Sequence, residues 1–139
     1  GRGRLTGTKI LSPLEELLHR ERIEAREFEA ARKFYVDWYF TERPSQAVMR
    51  WQEFVSSGAS PGDLDQAERR SFHARRFAGA CQSLGAYHGA VAKMLVIDEM
   101  SLTQIGIQIF GFRSRNGAAG SGLAAAVGML DVLARYYKL

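Results

Sequence analysis

The chain holds one cysteine, Cys81, so no disulfide can form within it. At 139 residues it is long enough to bury a core without such a staple, and a chain free of disulfides suits a reducing compartment. Its three histidines, His19, His73 and His88, stand far apart. None is followed three or four positions on by a carboxylate or thiol, and four converging ligands are not in sight, so no zinc site is expected. No Gly-x-x-x-x-Gly-Lys or Gly-x-Gly-x-x-Gly run follows a strand, and no strand-like alternation persists beyond a few residues. The glycine-rich stretch from Asn116 to Gly122 lacks both the lysine and the strand context of a phosphate loop. Asp98 and Glu99 are adjacent, and adjacent side chains point apart on a helix, so they do not form an acid/base pair. Neither an enzyme nor a cofactor is expected.

Long apolar runs are also missing to the eye: none approaches the roughly 18 residues that cross a bilayer. The basic start, Gly1 to Lys9, is not followed by a signal core. The expectation is a cytoplasmic protein without a membrane partner. Cys81, set among Ala78, Ala80 and Leu84, reads as a small buried apolar residue.

What is present is an all-α pattern. Residues 1–11 read as a flexible basic arm, functional or a frayed remnant. An N-terminal helical segment is expected over 12–55. Ser12-Pro13-Leu14-Glu15 has the residues of a capping box with proline at the first helical position. A longer helix should run from about Glu24 to Phe40. Phe28, Ala31, Tyr35, Trp38 and Tyr39 form its expected core stripe, and Glu24, Arg26, Glu27, Glu29, Arg32 and Lys33 its solvated face. After Pro44 a shorter helix over about 45–55 would align Val48, Trp51 and Val55. The stretch from Ser56 to Gly62 is the strongest loop signal.

A C-terminal domain is expected over 63–139. A long helix carries Arg69, Arg70, Arg75 and Arg76 and should end near Gly85. A second, from Tyr87 to Ile97, has Val91, Leu95 and Val96 on its apolar side. Ser101 then caps a helix with Leu102, Ile105 and Ile109 on one face. Gly106 falls where a crossing helix can come close, Gly111 supplies a positive-φ turn, and Phe112 plugs that turn. Ser114 is the candidate cap of the last helix, which either starts there despite its glycines or starts late, near Leu123. Tyr136 and Tyr137 should clamp its end. This arrangement suggests a helix-turn-helix with a longer turn than usual; the alternative is a tight helical hairpin. In the first case Arg113, Ser114, Arg115 and Asn116 face DNA, with Arg69, Arg70, Arg75 and Arg76 as further phosphate contacts.

Several of these segments resemble one family. Ser12-Pro13-Leu14, Phe28 to Arg32, the arginine-rich run before Leu84, and Ile105-Gly106 with the ending Leu130 to Tyr137 together resemble an uncharacterised alphaproteobacterial, phage-like domain. That domain occurs alone or behind helix-turn-helix modules, and is similar to the C-terminal part of gene transfer agent activators. The resemblance implies a transcription regulator whose C-terminal half is similar to sigma region 4 and which contacts double-stranded DNA, RNA polymerase or both, with or without a separate DNA-binding partner protein. It assigns Ile105, Gly106, Leu130 and Leu133 to the scaffold. The ending Arg135 to Leu139 departs from the His-Tyr-Gly close of many members.

The net charge of +4 favours an acidic partner. Two further readings stand beside direct DNA association. One is a polymerase-binding or antitermination-type adaptor using Trp38, Phe40, Trp51 and Phe54. The other is a small terminase subunit for DNA packaging, although such subunits carry the turn motif at the other end.

Overall fold

A computed structural model describes residues 12–42, 62–111 and 114–139, with backbone alone for 62–66, 115 and 116. The expected helix over 45–55, the loop before Gly62, and Phe112 lie outside the described residues. Within them the protein is all-helical. The helices are α1 (Pro13–His19), α2 (Ala25–Glu42), α3 (Gly62–Ala92), α4 (Leu102–Phe110) and α5 (Arg115–Tyr136). A π-helical turn, Lys93–Ile97, continues α3.

The ends of these helices follow from local chemistry. Ser12 accepts from the Glu15 amide while Glu15 accepts from that of Ser12, and Pro13 needs no partner at the first position. Ser101 and Gln104 repeat the reciprocal pair at the head of α4, and Gly111 ends that helix at φ 70°. Glu27, expected on the solvated face, is instead buried, because its carboxylate turns back to accept from the Glu24 amide at 2.8 Å. Gly85 breaks α3 with φ 76° and ψ −175°.

α5 is the central element and packs against α2, α3 and α4. Ala118, Ala126, Met129, Leu130, Leu133 and Ala134 are fully buried along it at helical spacing. By length and composition its Gly117–Tyr136 stretch is apolar enough to cross a membrane, which corrects the reading that no such run exists. Small residues had disguised it: alanine and glycine look bland in sequence but let neighbouring helices close in. α5 begins at Arg115 and not near Leu123. The glycine cost is offset where it matters: a Cβ on Gly122 would overlap the Leu102 carbonyl, and one on Gly106 the Ala118 carbonyl.

The stripe of α2 is displaced from the expected one. Ala30, Ala31 and Phe34 are buried, with Glu27 and Asp37 completing the line. Tyr35 is exposed, and Phe28, Trp38 and Tyr39 are half-buried. The aromatic periodicity was real but lay one residue off the core axis, because two acids occupy core positions. Cys81 is exposed, also contrary to expectation. The buried line on that part of α3 is Ala80 and Leu84, and Cys81 sits a third of a turn round from Ala80. Desolvation and the nearby Glu42 hold its thiol above the usual range.

Candidate nucleic-acid interface

α4 and α5 form the structural basis of the expected reading unit. Gly106 meets Ala118 and Leu102 meets Gly122, so four residues forward along α4 corresponds to four residues back along α5. The helices therefore run antiparallel in backbone contact, in the manner of a tight hairpin. The tip lies between Gly111 and Ser114, the described residues on either side of it. There Ser114 is exposed and extended, and its hydroxyl accepts from the Gly117 amide at 3.3 Å. Arg115 and Asn116 are the first two residues of α5, but their side chains are outside the described set, as is Arg113. In sequence these four positions are consecutive and lead into a helix N-terminus. The unpaired amides and dipole of such an end favour an anion. On the adjoining face of α4, Ile107 and Phe110 are 44% and 46% exposed.

The arginines of α3 divide. Arg69 is exposed. Arg75 is exposed and donates to the Ser71 hydroxyl at 2.8 Å. Arg70 is half-buried, with its Nε enclosed and lacking a partner. Arg76 is engaged inside the protein: it donates Nε to Asp37 Oδ2 at 2.8 Å and Nη2 to Oδ1 at 3.1 Å. Its guanidinium also lies over the Phe72 and Tyr137 rings. Hydrogen bonding to Asp37 raises its pKa further above the ordinary arginine value, despite partial desolvation. A phosphate would have to displace a buried carboxylate to claim this group.

Asp37 is the residue the sequence did not reveal. It is wholly buried, yet both oxygens are filled: His73 Nδ1 lies 2.7 Å from Oδ1, and the Tyr137 hydroxyl donates to Oδ2 at 2.7 Å. The Tyr137 phenol is pushed far above its usual range, first by burial and then by its bond to Asp37. Tyr136 donates to the Arg76 carbonyl across Gly79, where a Cβ would overlap its hydroxyl. The node joins α2, α3 and the end of α5, which gives the expected tyrosine clamp its chemistry. A signal existed. Asp37 follows Phe34 by three on the same face of α2, while His73 and Arg76 are spaced to answer it from α3.

Of the expected protein-contact residues, Trp38 packs tilted against Tyr35 at 5.5 Å. Phe40 stacks on His73 at 4.8 Å. Trp51 and Phe54 lie outside the described residues. No group of three or more potential metal-ligating side chains gathers among the described residues. No protein-family signature, curated protein or solved structure matches the chain.

Proposed function

We propose that the chain is a non-catalytic, DNA-associated transcription regulator of phage-like character, acting in the cytoplasm through the tip between α4 and α5. In this reading the pair is a helix-turn-helix-like unit of sigma-region-4 type, drawn tighter into a hairpin by its glycines. The observation that carries it is the start of α5, capped by the exposed Ser114, around which Arg113, Arg115 and Asn116 stand in sequence. Arginine at such a helix start contacts phosphate or the guanine edge. Arg69 and Arg75 are the α3 residues able to add phosphate contacts, and Arg76 is withdrawn from that set by Asp37.

The test is duplex DNA binding across a salt series. Arg113→Ala with Arg115→Ala should weaken binding and flatten the log–log salt slope by about one unit per lost phosphate contact. Unchanged affinity and slope refute the assignment. A polymerase-binding adaptor is the second reading, favoured by the exposed Ile107 and Phe110 beside the tip. Salt-resistant retention of a purified polymerase subunit, lost on Ile107→Glu, would put that reading first.

A further inference from the structure

A groove of about 370 Å³ opens between α1, the head of α4 and the first half of α5, on residues that the DNA-contacting tip does not use. Leu17, Leu102 and Leu123 give it an apolar lining, and Arg20 and Arg22 stand at it. Gly120 also lines it. Gly106 and Gly122 are each explained by a carbonyl a Cβ would strike, and Gly85 and Gly111 by positive φ. Gly120, like Gly89 in α3, has neither reason: it sits inside α5, and a Cβ there would meet nothing within 4 Å. Glycine inside a helix is unfavourable, and at Gly120 it leaves the floor of the groove open.

The charge at the groove indicates what that is. Arg20 pairs with Glu16 at 3.0 Å, whereas Arg22 has no carboxylate partner among the described residues. Arg22 is also held in place. Its amide donates to the Leu17 carbonyl at 2.9 Å, Glu21 before it is fixed at φ 57°, and Ile23 after it is buried. An apolar slot beside an unpaired guanidinium is complementary to an aliphatic or aromatic side chain flanked by carboxylates. We infer that this groove docks an acidic peptide segment of a partner protein. The partner's apolar anchor enters over Gly120 between the three leucines, and its carboxylate meets Arg22.

The full chain should be titrated with a short acidic peptide carrying a central leucine–phenylalanine pair, followed by amide chemical shifts. The controls are its lysine-flanked and its alanine-anchored counterparts. The acidic, leucine-anchored peptide should shift Leu17, Thr103 and Gly120, and both controls should bind at least about tenfold more weakly. Gly120→Trp, which fills the slot, should abolish the shifts. Arg22→Glu, an exposed change that does not touch the core, should weaken the acidic peptide by about tenfold or more and transfer preference to the lysine-flanked one. Absent shifts, shifts mapping elsewhere, equal binding of the alanine-anchored peptide, or indifference to Arg22→Glu each overturn the inference. DNA binding is not read in this experiment, so its outcome is separate from that of the tip.

Discussion

The two ends of α5 are fastened by opposite means. At its C-terminal end a wholly buried carboxylate on α2 collects a histidine and an arginine from α3 and a tyrosine from the end of α5. At its N-terminal end α4 is held by bare backbone contact, with Gly106 and Gly122 admitting the carbonyls of Ala118 and Leu102. The first contact is directional and removes charge from the surface, since Arg76 is no longer available to an outside anion. The second uses no side-chain charge. A basic chain therefore does not present all its basic residues. Which of them reach a partner depends on where the fold places its own acids.

The largest effect should come from breaking the charged end. Asp37→Ala strands Arg76 and His73 in a partly buried pocket, and removing one member of a buried pair costs about 3–5 kcal/mol. Urea unfolding of the two proteins measures this, and a loss below about 1 kcal/mol would mean the node is not holding the helices. Tyr137→Phe is the milder version. It deletes a hydrogen bond to a carboxylate, for a loss of about 1.5–3 kcal/mol. It also carries a pH signature. The folded phenol titrates above its unfolded value, so the stability from this group is complete below the ordinary tyrosine range near pH 10 and is lost as pH rises beyond it. Wild type should lose stability above about pH 10, and Tyr137→Phe should lose less over the same interval.

The glycine end comes next. Gly106→Ala puts a Cβ against the Ala118 backbone, which cannot swing aside as a side chain can. Overpacking of this kind costs about 1–3 kcal/mol. Its mark should be local: hydrogen exchange should quicken in α4 more than in α2, whereas Asp37→Ala loosens α2 and α3 together. Equal loosening everywhere in both variants would erase the distinction between the two ends.

The sequence displayed the second end far more plainly than the first. Gly106, Gly111, Ser101 and Ser114 have their expected structural roles because caps, positive-φ turns and close approaches depend on a residue and its immediate neighbours. Gly85 was legible for the same reason. Asp37 was not, because a charge enters a core only when partners far along the chain arrive to meet it, here 36, 39 and 100 positions away. The same long-range event moved the α2 stripe and made its aromatic run look like core. The groove over Gly120 was illegible too: its walls come from α1, α4 and α5, and a glycine without a packing duty is recognisable only once its neighbours are in place.

That glycine supplies the smallest prediction, and the one that separates packing from function at the free half of the interface. If Gly120 has no structural task, Gly120→Ala should stabilise the protein, because alanine loses less backbone entropy on folding and its Cβ meets empty space. The gain should be about 0.5–1 kcal/mol, visible as a raised thermal midpoint. Gly122→Ala, two residues on along the same helix, should do the reverse because it strikes the Leu102 carbonyl. Opposite signs from the same substitution would show that glycine serves two purposes within one turn of α5. A destabilising Gly120→Ala would instead make that position part of the fold and take away the main reason for looking outside the chain for what approaches it.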